Sequence, residues 1–108
     1  MVDIYTSQYK YSGADRLDTT MKTGDKAFAP TKKMVYDIKY RGMSEEEYTE
    51  KYYELMRKSY RLRRKKWDAL LNQERVVLIC YCAEGKFCHR VLLARILEKL
   101  NASYKGEI

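Results

Sequence analysis

With 108 residues, 45% of them hydrophobic and 34% charged, the chain is long enough for one compact core and too short for two domains. No run reaches the roughly 18 consecutive apolar residues of a membrane span, and Met1-Val2-Asp3-Ile4-Tyr5-Thr6 lacks the basic and apolar regions of a signal peptide. No membrane partner is therefore expected, and a cytoplasmic location is. The net charge of +7, from 22 Lys+Arg against 15 Asp+Glu, biases encounters toward anions such as nucleotides, nucleic acid or acidic surfaces. Three cysteines leave at least one thiol unpaired, which fits a reducing compartment and argues against a disulfide scaffold.

Val2 to Tyr5 is a short β-rich run, and the polar Gln8-Tyr9-Lys10-Tyr11-Ser12-Gly13 after it reads as a loop. A second strand falls within Arg16 to Met21. Residues 22–30 have the composition of a surface loop, with Pro30 holding Ala29 away from helical geometry. Thr31 can cap a short helix over roughly residues 32–40, which Gly42 ends. Ser44-Glu45-Glu46-Glu47 matches a capping box at the start of a longer helix. Tyr48, Tyr52, Met56, Tyr60, Trp67, Leu70 and Leu71 then recur at three- and four-residue spacing, predicting one amphipathic helix or a broken pair reaching Leu71. Val76-Val77-Leu78-Ile79-Cys80 is β-branched and apolar on both sides, as in a central strand covered on both faces. A helix through Leu100 follows, stopped near Asn101, and residues 102–108 are left for an edge strand. Strand, helix and strand in this order make a right-handed crossover. The predicted architecture is a single three-layer α/β domain with a small, mostly parallel central sheet flanked by helices.

The turn from Cys80 to Arg90 joins the central strand to the helix. In open α/β sheets ligands bind beyond the carboxyl ends of the strands, where helix amino termini present free N–H groups. Cys88 falls at or just before the helix start, where the dipole and its neighbours His89 and Arg90 favour a thiolate. His89 is the only imidazole in the chain and can move a proton near neutrality, while Arg90 offers a planar fork for phosphate or carboxylate. Cys88 and His89 are the catalytic candidates and Arg90 the anion-binding one. Cys82 and Glu84, on the turn itself, are ligand-facing candidates, and Asp18 and Thr6 supply the opposite wall from neighbouring strands. Cys80 reads more simply as a small hydrophobe filling a strand position. No cysteine stands where the cysteine-phosphatase loop needs one before Arg90, so that chemistry is excluded. The ligand types could suggest zinc, but the paired short-spaced halves of a structural zinc site are missing. Neither metal nor cofactor is expected.

The segment Val77-Leu78-Ile79-Cys80-Tyr81-Cys82, followed by Cys88-His89-Arg90 and Leu92-Leu93-Ala94, resembles the carboxy-terminal signature of domain-of-unknown-function family 488. Supporting matches run through Tyr5-Thr6, Leu17-Asp18, Phe28-Ala29-Pro30, Glu47-Tyr48 with Tyr52, and Gly106-Glu107-Ile108. The resemblance implies a small α/β fold with the signature at a strand-to-helix turn, and it carries Cys80, Cys88, His89, Arg90 and Asp18 as signature positions. It implies no established reaction, substrate or cofactor. Members commonly have Glu where this chain has Cys82, and Arg where it has Thr20.

Arg57, Lys58, Arg61, Arg63, Arg64, Lys65 and Lys66 place seven cations in ten positions. Such a run usually forms a solvated face, and it is also what phosphate neutralisation requires. The expected partner is an anionic, phosphate-bearing or nucleotide-like small molecule, bound with or without cysteine- or histidine-assisted hydrolase or transferase chemistry. Nucleic acid held through Arg63, Arg64, Lys65 and Lys66 is the alternative.

Overall fold

Val76 to Cys80 are buried throughout, and the strand that contains them, β3 (Arg75–Cys80), lies inside a four-stranded sheet. The computed structural model describes residues 1–81 and 87–108. Around β3 it places β1 (Asp3–Gln8), β2 (Arg16–Asp18), α1 (Lys32–Tyr40), α2 (Glu45–Leu62), α3 (Arg64–Leu71), α4 (His89–Lys99) and β4 (Ser103–Glu107). The strand order is β2-β3-β1-β4, and every pairing is parallel. The chain is thus the expected α/β domain built on a parallel central sheet.

The crossovers from β2 to β3 and from β3 to β4 run the same way across the sheet, so right-handed connection puts α1–α3 and α4 over one face. Met34 of α1, Tyr52 of α2, Trp67 of α3 and Leu93 of α4 accordingly join Ile4, Val76 and Leu78 in one apolar cluster. Val77 and Ile79, which alternate to the other face, are fully buried as well.

Strand β1 runs three residues beyond the predicted Val2–Tyr5, because its polar end still pairs with β3, Gln8 opposite Cys80. Burial of its hydroxyls is tolerated because each has a partner: Thr6 Oγ1 lies 2.7 Å from Tyr104 Oη, and Ser7 Oγ donates to the Ile108 carbonyl at 2.8 Å. Strand β2 stops at Asp18, whose carboxylate accepts from Thr20 N (2.9 Å) and Thr23 Oγ1 (2.6 Å) and turns the chain. Gly24 closes that turn; a Cβ there would lie 2.5 Å from the Thr20 backbone.

Both predicted caps form: Thr31 Oγ1 accepts from Met34 N and Ser44 Oγ from Glu47 N. The long amphipathic stretch is a broken pair, with Arg63 (φ −125°, ψ 39°) outside helical geometry between α2 and α3. Ser59 locks the two pieces together. It accepts from Trp67 Nε1 at 3.0 Å and donates to the Ala27 carbonyl at 2.6 Å. Tyr52 likewise donates to the Phe28 carbonyl at 2.7 Å, and these bonds bring the buried Ala27-Phe28-Ala29 segment against the helices.

Candidate functional site

Cys80 ends β3 and Cys88 is the N-cap of α4, so the sheet edge and the helix start present their sulfurs to each other. The two Sγ atoms are 2.9 Å apart, and both side chains are buried. His89, the first residue of α4, turns its ring into the same space. Its Nδ1 lies 3.7 Å from Cys88 Sγ and 3.9 Å from Cys80 Sγ. Its Nε2 lies 2.7 Å from the Thr19 carbonyl and 3.1 Å from Thr19 Oγ1.

These contacts fix the tautomer. A carbonyl oxygen only accepts, and Thr19 Oγ1 spends its own hydrogen on the Ile79 carbonyl at 2.7 Å. Both Thr19 oxygens are therefore acceptors, and Nε2 carries the hydrogen. In the neutral ring Nδ1 then holds a lone pair facing two thiols. A proton leaving either sulfur has a base within reach, and the thiolate left on one sulfur can accept from the S–H of the other. The Tyr52 ring stacks obliquely against the imidazole, with centroids 5.7 Å apart, and burial keeps the Tyr52 hydroxyl protonated, its pKa well above the usual tyrosine value.

Among the described residues, Cys80, Cys88 and His89 are also a group whose donor atoms lie within 4.8 Å of one another, and their chemistry suits a thiophilic ion. Two thiolates on one tetrahedral zinc stand about 3.8 Å apart, given Zn–S bonds of about 2.3 Å. The sulfurs, 2.9 Å apart, would have to part by roughly an ångström to hold such an ion.

Arg90, next along α4, is 1% exposed and forks onto Glu107 at the end of β4: Nη2 donates to Oε2 at 2.8 Å and Nε to Oε1 at 3.3 Å. Burial works to lower its pKa, and the Glu107 carboxylate together with the neighbouring Cys88 and Cys80 more than reverses this, so the net shift is upward. Cys88, Arg90 and Glu107 line a cleft of about 940 Å³ whose far side includes Glu45, Glu46 and Glu50 of α2 and Arg95 of α4.

The remaining sequence-predicted residues are more dispersed. Thr6 is fully buried against Tyr104, and Asp18 spends its carboxylate on its own turn. Burial works to raise the Asp18 pKa, yet the bonds from Thr23 and Thr20 hold it below the ordinary value of 3.8. Cys82 and Glu84 lie outside the described residues. Of the basic run, Arg64 pairs with Asp68 (3.1 Å) and Lys66 with Asp25 (3.2 Å), so part of its charge is neutralised locally. Sequence reasoning passed over Thr19, which sets the histidine, and Glu107, which balances the arginine. The only trace of Glu107 was its place in the terminal Gly106-Glu107-Ile108 match.

A parallel α/β sheet whose central strand passes through a cysteine into a Cys-His-Arg helix start defines a class of small proteins built around one strand-to-helix turn. The chain belongs to the DUF488 family: the family model DUF488-N3a, described as the active DUF488-N3 subclade, matches residues 1–101. No curated protein and no solved structure matches it. Among the described residues, no helix is long and apolar enough to cross a membrane.

Proposed function

We propose that the protein is a thiol-dependent hydrolase or transferase acting on a small anionic, nucleotide-like molecule, with Cys88 as nucleophile and His89 as its base. The observation that carries this reading is the imidazole itself, held by Thr19 through Nε2 so that Nδ1 faces Cys88 Sγ at 3.7 Å. In the first half-reaction the Cys88 proton passes to Nδ1 and sulfur bonds to the electrophilic centre. The leaving group departs with the bonding electron pair and takes the proton back from His89. Water or an acceptor alcohol then breaks the covalent link to sulfur and restores the thiol.

The ligand's anionic group is drawn by the net charge of +7 and received at the amino end of α4 and by Arg95, which lines the cleft. Arg90, already matched by Glu107, positions α4 and β4. Carboxylates across the cleft, Glu45 and Glu46, suit hydrogen bonding to ribose-like hydroxyls. A reducing compartment such as the cytoplasm keeps the thiols in the required form.

Incubation with a panel of nucleotides and dinucleotides, followed by heat denaturation and mass spectrometry of the released small molecules, tests this. Product is expected with the wild type, and Cys88→Ser should lower its rate by a factor on the order of 100 or more. Recovery of an intact nucleotide instead makes the protein a binding protein. Undiminished turnover by Cys88→Ser removes Cys88 from the chemistry.

A further inference from the structure

A second cavity, of about 590 Å³, opens between α2, α3 and α4. It shares only Arg95 with the cleft beside Cys88. Its floor is apolar and ring-bearing: Met56 and Trp67, both buried, with the half-buried Tyr53, Tyr60, Ile96 and Leu100. Its rim is cationic. Arg57 and Arg61 stand one turn apart on α2, and Arg95 and Lys99 one turn apart on α4, with Glu54 the one carboxylate in the lining.

Like charges four residues apart on a helix repel, and here two such pairs stand on neighbouring helices. Among the described residues none of the four cations takes part in an ion pair. Elsewhere in the molecule exposed cations do find local carboxylates, as Arg64 and Lys66 do. A volume in the range of small-molecule sites, an aromatic floor and an unneutralised positive rim together specify an occupant with complementary parts. We infer that this cavity binds a small aromatic organic anion, its ring system packed on Tyr60 and above Trp67 and its carboxylate, sulfonate or phosphate held between the α2 and α4 cations.

The single tryptophan forms part of the floor, so binding reports on itself. Titration with 1-anilinonaphthalene-8-sulfonate, with the fold monitored by near-UV circular dichroism, should give saturable one-to-one energy transfer from Trp67. Two variants separate the two halves of the site: Arg57→Glu with Lys99→Glu reverses exposed rim charges without touching the core, and Ile96→Phe fills the floor while leaving Trp67 the single tryptophan. Each is expected to weaken binding at least tenfold with the dichroism spectrum intact, and the uncharged N-phenyl-1-naphthylamine should bind at least tenfold more weakly than the sulfonate. Non-saturable transfer, equal affinity for the uncharged analogue, or unchanged affinity in both variants would overturn the inference.

Discussion

Glu107 helps a guanidinium sit at 1% exposure inside a protein of this size. Its carboxylate takes two of the Arg90 donors, and removing one partner of a buried pair leaves the other charge uncompensated. Glu107→Gln keeps the shape and removes the charge, so it should cost about 2 kcal/mol in urea unfolding; a loss within error of zero would mean that solvent or another group carries the balance. At this scale the sequence was half legible. Cys88, His89 and Arg90 announce themselves as neighbours, but their partners are distant, Glu107 by 17 residues and Thr19 by 70. The strongest Thr19 contact is made by a backbone carbonyl, which every residue type has, so no side-chain pattern could have revealed it. Asp18 hides a second role in the opposite way: a carboxylate after a strand resembles a ligand contact, and its part in closing its own turn rests on Thr20 and Thr23, which no strand pattern marks.

Elements were read more reliably because caps and periodicity are local. Ser44 is exposed, and its cap on the Glu47 amide stabilises the start of the longest helix. Ser44→Ala should therefore lower stability by about 1 kcal/mol, seen as an earlier urea midpoint with unchanged slope. The end of β1 was missed since Ser7 and Gln8 lack apolar strand character, and their partners, the Ile108 carbonyl and Cys80, are supplied from far along the chain. The basic run was legible as charge and not as geometry. The break at Arg63 splits it between two helices, and Asp25, which pairs with Lys66, lies 41 residues away.

The whole molecule is closed by its last strand. Strand β4 pairs in parallel with β1, so the two chain ends meet at one edge of the sheet, and Glu107 reaches Arg90 when they do. Truncation after Ala102 would strip the β1 edge and remove the Glu107 carboxylate from Arg90 together. Such a chain should lose the cooperative urea transition, as followed by circular dichroism, whereas a retained transition would show that β4 is an appendage. The opposite edge is different in kind. Strand β2 has three residues and pairs only with β3, and Thr19 lies immediately beyond it, with its own amide bonded to the Ile79 carbonyl. An edge this short opens at a small fraction of the global free energy, and each opening takes both acceptors away from His89 Nε2. The Thr19 amide and the imidazole N–H should consequently exchange with solvent together, well ahead of the β1 amides. Under the proposed mechanism the orientation of the base hangs on the shortest strand, and a fluctuation that the core never feels would be enough to disarm the cysteine.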